Sequence, residues 1–83
     1  MKINVKYRAH LETLTKTSSE SIDAKTVQDV LKHIKKQFGK EAKKTAKTML
    51  IVVNGQSILM LKHFKTVLKD GDEVSFLPIC GGG

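Results

Sequence analysis

One apolar stripe constrains the fold more than any other feature of this sequence. Five apolar residues from position 27 recur at spacings of three and four, the period of a single helix face: Val27, Val30, Leu31, Ile34 and Phe38. Thr26 and Asp29 form the pattern of a capping box at the start, and Gly39 supplies a left-handed stop. The pattern predicts an amphipathic helix of about 12 residues. Such a helix needs another element against which to bury its stripe.

Segments typical of strands precede this helix. Ile3, Val5 and Tyr7 alternate with polar residues, which is the period of a half-buried strand. Residues 17–23 form a weaker second strand with Ile22 as its core anchor. These two segments predict one pair of strands on the amino-terminal side of the helix.

Further strands are predicted after the helix, at 49–53, 58–61 and 73–77. The first is a continuous apolar run, which predicts a central strand covered on both faces. The Asn54-Gly55 pair predicts a tight turn after it, and Pro78 ends the last strand because proline cannot donate to a ladder. Leu77 is expected to point away from the helix-covered core.

Two polar segments complete the chain. Residues around Leu11 and Leu14 predict one helical turn or a loop, and the basic segment 40–47 predicts a solvated connector with at most one helical turn. With one clear helix and alternating strands, the sequence predicts an α+β roll. Its mixed sheet of four to five strands packs on one main helix.

Length and composition limit the function classes. A chain of 83 residues that is 40% hydrophobic allows one domain with one compact core. The net charge of +7 suggests nucleic acid or an acidic protein as a partner. The single cysteine excludes an intramolecular disulfide framework and a multi-cysteine metal site. Residues 1–6 carry no signal-like apolar region, and no apolar run approaches membrane-spanning length, so we expect a soluble, cytoplasmic protein without a membrane partner.

Conventional catalytic patterns are not evident. The three histidines, His10, His33 and His63, have no metal-ligand spacing and are interpreted as surface residues. Asp70, Asp72 and Glu73 cluster, but turn composition explains two of them. No glycine-rich loop follows a strand and opens a helix, so no nucleotide site is indicated. We expect no metal, no bound cofactor and no autonomous active site.

The carboxyl-terminal glycines are the unusual feature. Gly81, Gly82 and Gly83 contribute nothing to a core and carry a high entropic cost when ordered. One interpretation is a frayed end. The other is that the terminal carboxylate is the reactive group, because glycines without Cβ atoms can enter a narrow channel in a partner. Composition alone does not decide between the two.

Several segments carry a resemblance to a known family. Residues 52–56 (VVNGQ) with the spaced Ile58 and Leu61, and residues 68–78 (LKDGDEVSFLP), resemble the ThiS/MoaD family of ubiquitin-like sulfur carriers. The spacing from there to Gly83 matches the glycine-ended family terminus without a gap. Residues 26–31 resemble the family's helix start, and residues 1–14 resemble its first strand and following turn. The resemblance covers essentially the whole chain and implies a β-grasp domain over 1–78 with a flexible reactive tail over 79–83.

The resemblance also implies a mechanism. An ATP-dependent activating enzyme would adenylate the Gly83 carboxylate, and a sulfur donor protein would convert it to a thiocarboxylate. The carrier would then deliver sulfur inside a partner. Pro78 and the chain length favour the large subunit of molybdopterin synthase, in the synthesis of molybdenum or tungsten cofactor. The residues implied to contact partners precede Gly83: Leu77, Pro78, Ile79, Cys80, Gly81 and Gly82.

Departures from the family pattern affect the partner rather than the chemistry. Ile79 replaces a second proline, Cys80 follows it, Gly81 replaces an alanine, and Arg8 stands where many relatives carry an exposed phenylalanine. A redox or acyl-capturing role for Cys80 is the alternative to a small tolerated side chain. At an ordinary pKa near 8.5 its thiol is mostly protonated at neutral pH.

Other functions remain open. Thiamine synthesis, tRNA thiolation or conjugation of Gly83 to lysines, as by a ubiquitin-like modifier, would use the same tail. A TGS-like RNA-binding β-grasp module is the alternative of another class, because basic residues continue from the polar face of the helix: Lys32, Lys35, Lys36, Lys40, Lys43, Lys44 and Lys47. Nucleic acid is the less favoured partner, because most aromatic residues occupy predicted core positions and are not available for stacking on bases.

Overall fold

The computed structural model describes residues 1–79. Five strands form one sheet: β1 (Lys2–Tyr7), β2 (Ser19–Asp23), β3 (Leu50–Val53), β4 (Gln56–Ser57) and β5 (Glu73–Leu77). The helices are α1 (Ala9–Thr15), α2 (Val27–Phe38) and α3 (Lys40–Lys47). Two 3₁₀ turns, Ile58–Met60 and His63–Lys65, lie between β4 and β5. This is the predicted α+β architecture, with more helix than the sequence indicated.

The strand order is β2-β1-β5-β3-β4, so the last strand lies at the centre of the sheet. β5 runs parallel to β1 and antiparallel to β3, and the outer strands β2 and β4 pair antiparallel with their neighbours. The register pairs Tyr7 with Phe76 on one side and Leu50 with Leu77 on the other. The mixed sheet of four to five strands is therefore confirmed.

Helix α2 forms where its apolar stripe predicted. Its first turn has the full capping box, in which Thr26 Oγ1 accepts from the Asp29 backbone N–H at 3.2 Å and Asp29 accepts from the Thr26 N–H at 3.2 Å. Gly39 ends the helix with a φ of 100°, and its N–H bonds the Lys35 carbonyl at 3.0 Å. The buried residues of this helix pack in one cluster with the inward side chains of the sheet.

Three local predictions were wrong or incomplete. Segment 40–47 is helix α3, because Ala42 and Ala46 are small enough to bury their face while its lysines stay at the surface. Residues 58–60 form a 3₁₀ turn instead of a strand, since Ser57 caps the turn by accepting from the Leu59 N–H. Segment 9–15 is a complete short helix that buries Leu11.

The position assigned to the third strand is also corrected. β3 lies beside the central strand, and its residues alternate between half-buried and buried, so only one of its faces is fully covered. Ile51 and Val53 face the core, while Leu50 and Val52 lie on the open face of the sheet. The continuous apolar run therefore does not indicate burial on both faces, because Leu50 and Val52 on the open face stay partly exposed.

A polar network extends into the aromatic part of the core. The Tyr7 ring is fully buried between the Phe38 and Phe76 rings, and its hydroxyl donates to a Glu20 carboxylate oxygen at 2.5 Å. His33 Nε2 lies 3.0 Å from that same oxygen. Burial, followed by the hydrogen bond and charge of Glu20, raises the pKa of Tyr7 far above its usual range. The network joins β1, β2 and α2 through one carboxylate.

Candidate functional site

The candidate site begins at the carboxyl end of β5. Hydrogen-bonded neighbours flank this strand on both sides, up to Phe76 on the β1 side and Leu77 on the β3 side. Pro78 follows at the surface, where its lack of an N–H ends donation to the ladder. Pro78 and Ile79 therefore leave the sheet from a position that two strands hold in place.

The two faces of β5 differ in burial. Val74 and Phe76 are fully buried in the core. Leu77 is half-buried, and strand alternation places it on the opposite face beside its register partner Leu50. The expectation that Leu77 points away from the helix-covered core is confirmed.

Apolar side chains surround this end of the strand. Leu59 and Ile79 are 66% and 68% exposed, and both line a shallow cavity of about 130 Å³ together with Leu50. We call these three residues and Leu77 the carboxyl-end patch. The patch therefore puts partly exposed apolar side chains beside Pro78, which follows the end of β5.

A side-chain bridge fixes the other end of β5. Asn54 and Gly55 have φ of 51° and 84°, as a tight hairpin turn requires. The Asn54 amide donates to Asp72 Oδ1 at 2.9 Å, and its oxygen accepts from the Glu73 N–H at 2.9 Å. Asp72 also accepts from the Lys69 N–H at 2.8 Å. The bonds from Lys69 and Asn54 lower the pKa of Asp72 and hold the register of the central strand.

These contacts give the acidic cluster a structural role. Asp70 accepts from the Lys2 N–H at 2.8 Å, and Asp72 holds the turn described above. Glu73 lies 3.4 Å from the Lys6 ammonium. Within residues 1–79, no group of three or more histidine, cysteine, aspartate or glutamate side chains is placed to hold a metal ion.

The histidines occupy three different environments. His10 and His63 are exposed, as expected. His33 differs, because its side chain is only 23% exposed and contacts both Glu20 and the Phe38 ring. None of these positions places a base beside a nucleophile within the described chain.

The structure locates part of the predicted site. Leu77, Pro78 and Ile79 are at the carboxyl end of β5, whereas Cys80, Gly81, Gly82 and Gly83 lie outside the described residues. Of the tail predicted at 79–83, the structure thus describes only Ile79. Leu59 and its neighbour Met60, which is 75% exposed, were missed as surface residues because their apolar run was interpreted as a strand.

No helix in the described part of the chain is long and apolar enough to cross a membrane.

The family model of the ThiS family matches residues 2–83, which is nearly the whole sequence. The chain belongs to the ThiS family. No curated protein sequence matches it.

Solved structures of other proteins agree with this assignment. The solution structure of small archaeal modifier protein 1 from Methanosarcina acetivorans has 26% identity and a TM-score of 0.87, covering 99% of this chain and 96% of that one. A putative molybdopterin converting factor subunit 1 from Pyrococcus furiosus has 27% identity and a TM-score of 0.72, covering 94% and 97%. Subunit 1 in the complex of molybdopterin-converting factor subunits from Helicobacter pylori has 25% identity and a TM-score of 0.69, covering both chains completely.

These likenesses confirm the β-grasp, ubiquitin-like fold and place this ThiS-family chain among the sulfur carriers and ubiquitin-like modifiers. They also include a protein that was solved with its partner subunit. The chain thus shares its fold with proteins that are described both as modifiers and as subunits of a converting factor.

Proposed function

We propose that the chain is a sulfur carrier whose reactive group is the carboxylate of Gly83. The supporting observation is the arrangement at the end of β5: the central strand ends at Leu77, whereas the family match continues to Gly83. In the sequence, residues 78–83 come after the last strand and lie within the family match. A glycine-ended segment beyond a firmly held strand suits insertion into a partner's channel.

The chemistry proceeds in three steps. A Gly83 carboxylate oxygen attacks the α-phosphorus of ATP on the activating enzyme, the α–β phosphoanhydride bond breaks, and pyrophosphate leaves. The persulfide of a sulfur donor protein then attacks the acyl carbon and AMP leaves. A second thiol of the donor cleaves the resulting acyl disulfide, forming a donor disulfide and releasing the thiocarboxylate. The carrier itself holds no cofactor, and ATP is the substrate of its partner.

The carboxyl-end patch is the proposed contact for these partners. Leu77 and Ile79 present apolar surface on either side of Pro78, and Leu59 extends it. In this proposal Cys80, Gly81 and Gly82 pass through the partner's channel. The two converting-factor relatives favour the large subunit of molybdopterin synthase as the receiving protein, and thus molybdopterin synthesis as the pathway.

A second candidate function uses the same carboxylate. The relative from Methanosarcina acetivorans is a modifier protein. In this alternative a lysine amine of another protein attacks the activated acyl carbon and forms an isopeptide bond with release of AMP. RNA binding is less favoured, since Tyr7 and Phe76 are fully buried and Phe38 is half-buried.

The test is ATP–pyrophosphate exchange with the cognate activating enzyme, accompanied by a thermal melt of each variant. Removal of Gly83 shortens the reach by roughly 3.5 Å and should abolish exchange without changing the melting temperature. Gly82→Ala should reduce exchange about 100-fold by misplacing the carboxylate. Gly81→Ala is the matched control and should retain most activity, because relatives carry alanine there. Normal exchange without Gly83 would refute the carrier function.

Intact mass spectrometry of the protein from its native host distinguishes the two candidates. One oxygen-to-sulfur exchange at the carboxyl terminus is expected of the carrier. A lysine-linked adduct through Gly83 would instead identify a modifier.

A further inference from the structure

A cavity of about 500 Å³ lies between α2, α3 and the second 3₁₀ turn. Five lysines from these three regions line it: Lys32, Lys43, Lys47, Lys62 and Lys65. Gln28, Leu31, His63 and Phe64 complete the lining, which includes no carboxylate. The volume falls in the usual range of small-molecule sites.

The positive charge of this cavity is uncompensated within residues 1–79. The ion pairs there involve Met1, Lys2, Lys6 and His33, and none involves a lysine of the cavity. Among contacts between described residues, Lys47 is the only cavity lysine with a favourable charge contact, its ammonium lying 5.8 Å from the centre of the Phe64 ring. Cations gathered in one concave site attract anions and repel one another. The cavity is therefore suited to a ligand that carries several negative charges.

The wall of the cavity is held in place by Thr66. Its hydroxyl accepts from the Lys62 N–H at 3.0 Å and donates to the His63 carbonyl at 2.8 Å. Its own carbonyl accepts from the Val27 N–H at 3.1 Å, which ties the turn to the start of α2. The backbone that carries Lys62 and Lys65 is thus positioned before any ligand binds, which reduces the cost of binding.

The floor of the cavity is apolar. Leu31 is 3% exposed, and the half-buried Phe64 ring packs against the core beside it. Gln28 adds an amide that can donate and accept hydrogen bonds. Cationic side chains around an apolar floor match a molecule that carries both phosphate groups and a flat ring. An extended acidic peptide or RNA strand would need a longer groove and, for RNA, more exposed aromatic side chains.

We propose that this cavity binds a phosphorylated small molecule of the nucleoside polyphosphate class. The lysines contact the phosphates, and the half-buried Phe64 ring contacts the base. The site goes beyond the proposed carrier function and does not depend on it. It adjoins the carboxyl-end patch, since Lys47 and Phe64 line both cavities.

The test uses the full chain alone and ATP as the probe, followed by amide chemical shifts in two-dimensional NMR and by calorimetry. The variant K32Q/K62Q removes two cavity lysines whose side chains are exposed, while K35Q/K36Q removes two exposed lysines of α2 that do not line the cavity. The two variants have the same net charge. We expect K32Q/K62Q to weaken ATP binding about tenfold, because each exposed lysine–phosphate contact contributes roughly threefold. The control should bind within about twofold of wild type, and thermal melts confirm that both variants fold.

Two further probes test the apolar floor. Inorganic tripolyphosphate should bind more weakly than ATP, and adenosine should shift amides near Leu31 and Phe64 only at higher concentration. The proposal is overturned if ATP shifts no amide around the cavity, or if both lysine pairs weaken binding equally. Tripolyphosphate binding as tightly as ATP, or displacement of ATP by RNA or an acidic peptide at lower concentration, would overturn the assigned ligand class. Because no activating enzyme is present, failure here leaves the exchange test of Gly83 unaffected.

Discussion

Alkaline titration of Tyr7 tests the polar connection in the core. Tyr7 is the single tyrosine of the chain, and there is no tryptophan, so tyrosinate absorbance reports this residue alone. Its ring is fully buried, and its hydroxyl lies 2.5 Å from a Glu20 oxygen. Ionising it would place a phenolate beside a carboxylate inside the core. We expect the folded protein to resist this ionisation.

The raised pKa of Tyr7 determines how the stability of the fold changes with pH. The native state keeps the phenolic proton over a pH range in which the unfolded chain, with a tyrosine pKa of about 10, has lost it. The contribution of Tyr7 to stability is therefore complete below pH about 10 and is lost as the pH rises. Each further pH unit lowers the free energy of unfolding by about 1.4 kcal/mol. Two units remove about 2.7 kcal/mol, a large part of the roughly 5–15 kcal/mol typical of a domain.

The assay follows tyrosinate absorbance and far-ultraviolet circular dichroism against pH, with a urea-unfolded sample as reference. The unfolded chain should titrate near pH 10. In the native protein, tyrosinate should appear only together with loss of the dichroism signal. The control Tyr7→Phe should be about 1.5–3 kcal/mol less stable at neutral pH, and this difference should shrink above pH about 10. A tyrosinate midpoint near pH 10 with native dichroism would refute the reasoning.

Three further predictions concern docking, packing and the turn. Leu77→Asp should weaken binding to the activating enzyme at least about tenfold, measured by calorimetry, with little change in melting temperature. If the variant instead unfolds, Leu77 is a core residue and not a docking residue. Ala46→Leu should lower the free energy of unfolding in urea by about 1–3 kcal/mol by overpacking α3, whereas Lys44→Leu at an exposed position of that helix should be nearly neutral. Asn54→Ala should cost about 2 kcal/mol, because it removes two hydrogen bonds and places alanine at a positive φ. It should also flatten the fall in stability below pH about 4, because the lowered pKa of Asp72 stabilises the fold only above its titration range.

The elements that the sequence predicted well are those in which local pattern and burial agree. Helix α2 carries its stripe, its capping box and Gly39 within one continuous segment, so each signal supports the others. β1 and β5 likewise follow from alternation and from Pro78. The segment 40–47 was misjudged because its mean polarity conceals Ala42 and Ala46, whose burial depends on contact with the other helices.

Only those residues of the candidate site that are consecutive in the sequence could be predicted. Leu77, Pro78 and Ile79 follow one another in the family pattern, so their place at the end of a strand could be inferred. Leu59 lies on the same surface because it is part of a 3₁₀ turn. Lys62 and Lys32 line one cavity because the turn that contains Lys62 is hydrogen-bonded through Thr66 to the start of α2. These contacts depend on the direction in which turns reverse the chain. Hydrophobic periodicity predicts helices and strands but does not predict that direction.

The parallel pairing of β1 and β5 has a mechanical consequence. Since the strands run in the same direction, a pull on the Lys2 end of β1 and an opposite pull beyond Leu77 would slide the two strands past each other. Such force acts on all the hydrogen bonds of the ladder at once, whereas force on a hairpin end opens bonds one after another. The antiparallel ladder to β3 shares this load. A pull on the segment after Leu77 would therefore load the ladders to β1 and β3 together, which makes the central strand difficult to extract from the sheet.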